Sequence, residues 1–169
     1  SETKRNLLRA FAGESQARNR YTFSAGLAKK NGLYVIEAVF RFTAHQEKEH
    51  AQVFYDYLEK CSGENIAIDG TYPIDLYNTV QEHLRAAQHN EYQEYEHDYT
   101  SFAHTAKEEG FPEISHVFSQ IARIEQIHGD RFGQFADLME QDKLFINEVE
   151  CDWMCLNCGY VVSNTTRPP

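Results

Sequence analysis

The chain consists mainly of long stretches in which apolar residues recur every three or four positions, separated by short breaks rich in Gly, Pro or Asn. This spacing is typical of amphipathic helices, which turn one apolar face toward a core. The breaks at Asn31-Gly32, Cys61-Ser62-Gly63 and Gly110 divide the pattern into four segments. We therefore predict four long helices, at about residues 3–30, 33–60, 74–109 and 112–141.

A linker, ENIAIDGTYP at residues 64–73, separates the second helix from the third and is long enough to cross a bundle. After Lys143 the helical pattern gives way to short β-rich runs around a Cys-x-x-Cys sequence. The predicted fold is an all-α, ferritin-like four-helix bundle with a long crossover between helices 2 and 3. We assign the bundle to residues 1–143 and a small β-rich module to residues 144–169.

The amino-acid composition limits the classes of protein to which the chain can belong. With 41% hydrophobic and 25% charged residues, the chain resembles soluble globular proteins, and its net charge of −10 argues against nucleic acid or a membrane surface as partner. No apolar run approaches the roughly 20 residues of a membrane span, and the N-terminus lacks signal-peptide features. Three of the four cysteines cluster near the C-terminus, which favours a thiolate metal site in a reducing compartment. The expected location is the cytoplasm.

One acidic residue lies along the centre of each apolar helix face. The four acids are Glu14, Glu47, Glu91 and Glu125. At about 100° per residue, Glu47 shares its face with Phe40 and Phe54. Each buried carboxylate costs several kcal/mol unless it is compensated, and the only basic residue close to these faces in the sequence pattern is Arg18. We therefore expect two metal ions in the core.

The spacing of acids and histidines indicates a twofold-repeated site. Glu-x-x-His sequences at 47–50 and 125–128 each place two side chains one turn apart, and another Glu lies 33 residues before the first and 34 before the second. Carboxylate and imidazole ligands suit iron or manganese. Two further Glu-x-x-His sequences, at 94–97 and 113–116, turn their histidines away from these faces. The six predicted ligands are Glu14, Glu47, His50, Glu91, Glu125 and His128.

These segments resemble the rubrerythrin family of non-haem di-iron peroxidases. GESQARNRY at 13–21, EKEH at 47–50, EYQE at 91–94 and EQIH at 125–128 are similar to the family's ligand segments in order and spacing. DWMCLNCGYVV at 152–162 resembles the first half of a rubredoxin-type iron knuckle. The resemblance covers nearly the whole chain.

The resemblance implies a seventh ligand, Glu94. It would bind one iron when the pair is oxidised, and His50 would replace it when the pair is reduced, since a carboxylate supports the ferric state and an imidazole the ferrous state. Glu47 and Glu125 would bridge the two ions. Glu14 would be a terminal ligand of the moving iron, whereas Glu91 and His128 would bind the other. The alternative for Glu94 is an ordinary surface acid.

The resemblance also assigns Tyr21 and Tyr99 to hydrogen bonds with ligand carboxylates, with simple core packing as the alternative. The catalytic set is then Glu94, His50, Tyr21 and Tyr99.

The C-terminal segment departs from the family pattern. A rubredoxin iron needs four thiolates, but only Cys155 and Cys158 are suitably spaced, because Cys151 does not fit the missing role. Cys61 is expected to be structural. Either the sequence is truncated, which we favour, or a second subunit supplies thiolates, or this electron relay has been lost.

The resemblance implies a peroxide reductase that protects against oxidative stress. Its cofactor would be two iron ions, and its electrons would come from rubredoxin, a rubredoxin-type centre or an NAD(P)H-dependent reductase. A homodimer or higher homo-oligomer is expected. One alternative is a ferritin-like ferroxidase or iron-storage protein, which would need no seventh ligand. The other is a non-enzymatic bundle stabilised by metal.

Overall fold

The computed structural model describes residues 1–168. Most of the chain is helical, and two strands form a hairpin near the C-terminus. The helices and strands are α1 (Glu2–Lys30), α2 (Tyr34–Asp56), α3 (Val80–Gln93), α4 (Tyr99–Glu108), α5 (Pro112–Glu140), β1 (Ile146–Met154) and β2 (Val161–Thr166). A short 3₁₀ helix (Glu59–Cys61) follows α2, and a single π-helical turn (Glu94–Asp98) joins α3 to α4.

The helices pack as two pairs around one core. α1 packs against α2, and the continuous rod of α3, the π turn and α4 packs against α5. Residues 62–79 connect the two pairs. The predicted four-helix bundle with a long crossover is therefore confirmed. The division into domains at residue 143 stays a prediction.

The third rod begins at Val80, six residues after the predicted start at Ile74. Thr79 and Glu82 form a capping box, in which each side chain accepts a hydrogen bond from the other residue's backbone N–H. The apolar residues before it belong to the crossover, where Ile74 is 81% and Leu76 is 87% exposed. α2 also ends earlier than predicted, at Asp56.

The π turn changes which residues of the third rod are buried. An α-helix continued from Glu91 would turn Tyr95 and Phe102 inward, as the sequence pattern suggests. Both are only half-buried, and Tyr99 and Ala103 are buried instead. A π turn adds one residue to the helix and so rotates everything that follows. The hydroxyl of Thr100 donates to the Tyr95 carbonyl five residues back.

Two aromatic clusters occupy the core and leave a polar layer between them. In one cluster the ring centroids of Phe40 and Phe132 lie 5.1 Å apart, and in the other those of Phe54 and Phe118 lie 5.0 Å apart. The predicted acidic residues lie in the layer between these clusters. They are thus shielded from water at both ends of the bundle.

The C-terminal hairpin is antiparallel, with Trp153 opposite Val162. The indole N–H of Trp153 donates to the Asn164 carbonyl at 2.9 Å, and its ring lies against Phe145 with centroids 6.4 Å apart. The connection between the strands contains the Cys-x-x-Cys sequence. Among the described residues, no helix combines the length and the apolar character needed to cross a membrane.

Candidate metal centre

Six side chains from four helical rods converge in the polar layer, and all six are buried. They form two overlapping groups whose donor atoms lie within 4.8 Å of one another. One group contains Glu14, Glu47, His50 and Glu125. The other contains Glu47, Glu91, Glu125 and His128. The structure thus brings together the six side chains that the sequence pattern selected; their role as ligands stays a prediction.

Glu47 and Glu125 span the two groups. The two oxygens of Glu47 lie 3.2 Å from His50 Nδ1 and 3.0 Å from His128 Nδ1. Those of Glu125 lie 2.9 Å from each of the same two nitrogens. Glu14 is nearer His50, at 3.7 Å, and Glu91 is nearer His128, at 3.6 Å. The arrangement has the approximate twofold symmetry that the sequence repeat predicts, with two acids in bridging positions.

The donor set fits a pair of metal ions. Nine buried oxygen and nitrogen atoms of these six residues have no hydrogen-bond partner within residues 1–168. Such groups are rarely left unsatisfied in a folded protein. Donors that bind one ion at about 2.1 Å and at right angles lie about 3.0 Å apart, close to the distances observed here.

Two buried tyrosines orient the outer carboxylates. The hydroxyl of Tyr21 donates to Glu91 Oε1, and that of Tyr99 donates to Glu14 Oε1 at 2.5 Å. Each bond connects the first helix pair to the second, so the tyrosines obey the same approximate twofold symmetry. Burial and nearby carboxylates raise the pKa of both hydroxyls well above its usual range. They therefore stay protonated and donate at neutral pH.

Glu94 lies beside the centre but outside both donor groups. It begins the π turn and is partly exposed. Burial raises its pKa well above the usual range, and the charges of Glu91, Glu125 and Glu47 raise it further. The carboxyl is therefore close enough to the centre to interact with it electrostatically.

The charges of the inner residues depend strongly on one another. Burial raises the pKa of Glu14 and Glu125 well above the usual range, and neighbouring carboxylates add to the effect. Burial also opposes ionisation of Glu47, yet the two imidazoles in contact with it lower its pKa to about 2. Burial disfavours a charged His128, but its carboxylate neighbours raise the pKa overall. Metal ions would take the place of these protons.

The basic residue near the centre is Arg20, not Arg18 as the sequence pattern suggested. Arg18 is exposed, whereas the Arg20 side chain is only 12% exposed and pairs with Asp75 at 2.7 Å. The pattern of α1 alone could not reveal this, because the crossover covers Arg20 and supplies Asp75. Asn90 donates to the same carboxylate, and the guanidinium lies 5.5 Å from the Tyr21 ring.

A cavity of about 820 Å³ lies between α1, the crossover and the π turn. Glu94 and Tyr99 are in its wall, and the Tyr99 hydroxyl donates to Glu14, so the cavity lies beside the centre. Tyr72 is on the crossover side, where its hydroxyl donates to the Arg9 carbonyl at 3.1 Å. The sequence pattern did not indicate this cavity, because the crossover forms one of its walls.

Cys155 and Cys158 are free and exposed in the loop of the hairpin. The Cys155 N–H donates to the Tyr160 carbonyl, and Gly159, with a φ of 78°, donates to the Cys155 carbonyl, both at 2.8 Å. Backbone N–H groups of Asn157 and Cys158 lower the pKa of the Cys155 thiol. Neither cysteine joins a group of three or more potential ligands within residues 1–168, so the predicted iron knuckle stays a prediction.

Sequence comparison relates the chain to one family of known proteins. The sequence profile of the rubrerythrin family matches residues 5–136. The rubrerythrin of Porphyromonas gingivalis is 45% identical over 168 residues, which cover 99% of this chain and 82% of the relative. That of Nitratidesulfovibrio vulgaris is 42% identical, over 99% of this chain and 86% of the relative.

Solved structures support the same fold. Nigerythrin in its fully reduced, all-ferrous state has a TM-score of 0.73 at 25% identity, over 95% of this chain and 76% of nigerythrin. A bacterioferritin of Mycobacterium tuberculosis has a TM-score of 0.73 at 20% identity, over 83% of this chain and 87% of that protein. This second likeness concerns the fold alone and confirms that the bundle is ferritin-like. With its sequence profile and its close relatives in agreement, the chain belongs to the rubrerythrin family.

Proposed function

We propose that the protein is a non-haem di-iron peroxidase that reduces hydrogen peroxide to water. The position of Glu94 is the observation that carries this proposal. A six-ligand centre would be complete without it, yet it lies next to that centre, on an added π turn, and faces a cavity. This placement suits a carboxylate that exchanges with His50 at one ion.

Each residue then has a defined role. Glu14 and His50 would hold one ion, Glu91 and His128 the other, and Glu47 and Glu125 both. When bound, two ferrous ions supply the two electrons that reduce the O–O bond. Glu94 lies in the cavity wall, where its carboxyl is placed to pass a proton to peroxide oxygen. Tyr21 and Tyr99 keep the outer carboxylates oriented.

Anaerobic stopped-flow mixing of the ferrous protein tests the proposal. We expect hydrogen peroxide to oxidise it much faster than oxygen does. If oxygen reacts as fast or faster, the peroxidase function fails and a ferroxidase function gains. An iron content well above two per bundle would favour the iron-storage alternative.

The exchange role of Glu94 has its own test. Glu94→Ala should slow peroxide turnover while both ions stay bound, as shown by metal analysis. Glu96→Ala is the matched control, because Glu96 is on the same π turn but exposed. Equal turnover in the two variants would remove the exchange role.

The proposal includes an external source of electrons, either rubredoxin or an NAD(P)H-dependent reductase, and assembly into a homodimer or larger homo-oligomer in the cytoplasm. Cys155 and Cys158 would contribute half of a rubredoxin-type iron site. Reconstituted turnover with each donor, together with sedimentation of the holoprotein, tests these points.

A further inference from the structure

The cavity beside the candidate centre is larger than hydrogen peroxide requires. A water molecule takes up about 30 Å³ in the liquid, and hydrogen peroxide is roughly the size of two waters. The cavity has a volume of about 820 Å³. Pockets of about 300–1,000 Å³ are typical of sites for small organic ligands.

The cavity lining combines polar and apolar side chains. Glu94, Asn90 and Gln93 form a polar wall on the third helical rod, next to the centre. Pro73 on the crossover and Phe102 on α4 contribute apolar surface to the same cavity, and the Phe102 ring centroid lies 6.1 Å from that of Tyr99. A ligand with a polar end and an apolar body matches this lining better than a small, fully polar molecule does.

The crossover side of the cavity is held in place by hydrogen bonds. The guanidinium of Arg9 donates to the Asp69 carboxylate at 2.6 Å and to the Asp69 carbonyl at 3.0 Å. Tyr72 donates to the Arg9 carbonyl, and its ring lies over Gly13, where an added Cβ would be 3.7 Å away. The wall is therefore preformed, which lowers the cost of binding.

We propose that this cavity binds small organic hydroperoxides and that the protein reduces them at the same centre as hydrogen peroxide. The inference rests on the proposed peroxidase function and extends its substrate class. The hydroperoxide group would lie against Glu94, and the organic group against Pro73 and Phe102. Reduction breaks the O–O bond of ROOH with two electrons and two protons and gives ROH and water. Two ferrous ions held at the centre would supply the two electrons and become ferric, and the two protons would come from solvent.

A binding experiment independent of turnover uses 2-phenyl-2-propanol, the alcohol formed from cumene hydroperoxide. Crystals of the oxidised holoprotein are soaked with this alcohol. We expect density in the cavity, with the ring near Phe102 and the hydroxyl within hydrogen-bond distance of Glu94. A cavity that remains filled only by water would overturn the inference.

A kinetic experiment compares kcat/KM for cumene hydroperoxide with kcat/KM for hydrogen peroxide. Thr71→Trp places a large ring in the cavity lining, and Ala67→Trp places the same ring on the crossover outside that lining. We expect Thr71→Trp to lower the ratio by about tenfold or more, the discrimination typical of small changes in pocket shape. Ala67→Trp should leave the ratio unchanged.

The outcomes separate the two proposals. If hydrogen peroxide itself is not reduced, the proposed function fails. If hydrogen peroxide is reduced but cumene hydroperoxide is not, only the wider substrate class fails. Equal ratios in the two tryptophan variants would show that the organic substrate does not use this cavity, and would also refute the inference.

Discussion

Replacing Tyr99 by Phe removes one hydroxyl from the core and leaves the ring in place. Tyr99 is 2% exposed, and its hydroxyl donates to Glu14 Oε1 at 2.5 Å. The other oxygen of Glu14 already has no hydrogen-bond partner within the described residues. In Tyr99→Phe, the Glu14 carboxylate would therefore lose its orienting hydrogen bond and swing more freely around the ion near His50.

The size of the effect follows from the charge and burial of the acceptor. A hydrogen bond to a charged group contributes about 1.5–3 kcal/mol. Since about 1.4 kcal/mol is a factor of ten, binding of the ion near His50 should weaken about tenfold to a hundredfold. This is the range found when groups that orient metal ligands are removed. The ion near His128 should be affected much less, because Tyr21 orients Glu91 on that side.

The assay is stepwise competition with a coloured metal chelator, which reports the two affinities separately. The matched control is Tyr57→Phe, since the Tyr57 hydroxyl donates at 3.0 Å to Glu113, which is exposed. Its removal should change stability by less than about 0.5 kcal/mol and leave both metal affinities as they are. Wild-type affinity for both ions in Tyr99→Phe would refute the orienting role.

Two further predictions concern stability. Gly129→Ala should destabilise the fold by about 1–3 kcal/mol, because the new Cβ would lie 2.6 Å from the Tyr92 ring. Gly26→Ala should stabilise the fold by about 1 kcal/mol, because a Cβ at this position has no neighbour within 4 Å. Urea unfolding measures both changes. Glu109 accepts hydrogen bonds from Thr3 at the start of α1, and these contacts lower its pKa to about 2. A carboxyl whose pKa is lower in the folded than in the unfolded protein stabilises the fold at pH values above its unfolded pKa, and this stabilisation is lost as the pH falls toward 2. Glu109→Gln should therefore lower Tm near neutral pH, and its Tm should approach that of the wild type in acid. A constant Tm difference across that pH range would contradict this assignment.

The sequence predicts which acids lie in the core, because helical periodicity determines which way a side chain points. Glu14, Glu47 and Glu125 are surrounded in the pattern by residues that the structure buries. Each acid is near the middle of its rod, so small errors at the helix ends do not move it. The late start of α3 therefore leaves Glu91 on the predicted face.

The π turn is harder to predict, because no residue type specifies it. The two halves of the sequence repeat nevertheless differ in length by one residue in this region. Tyr21 follows Glu14 by seven residues, whereas Tyr99 follows Glu91 by eight. The 33- and 34-residue spacings of the ligand acids differ by the same single residue. Only a three-dimensional structure shows that this extra residue forms the turn that begins at Glu94.

The contacts of the crossover could not be predicted from the sequence for a different reason. It has no regular period, so nothing in its pattern shows which helix it covers. Its contacts with Arg20 and Arg9 depend on the tertiary arrangement of the two helix pairs. Both the cavity and the partly buried ion pair of Arg20 with Asp75 result from that arrangement.

The most direct test of the central claim is the melting temperature of the metal-free protein compared with that of the protein loaded with two ions. The claim is that four acids can lie in the core because cations bind between them. A ligand at a thousand times its Kd stabilises the folded state by about 4 kcal/mol per site, and each kcal/mol shifts Tm by about 2–4 °C at this chain length. We therefore expect that binding of two ions raises Tm by more than about 10 °C. Equal melting temperatures for the two forms would contradict the account.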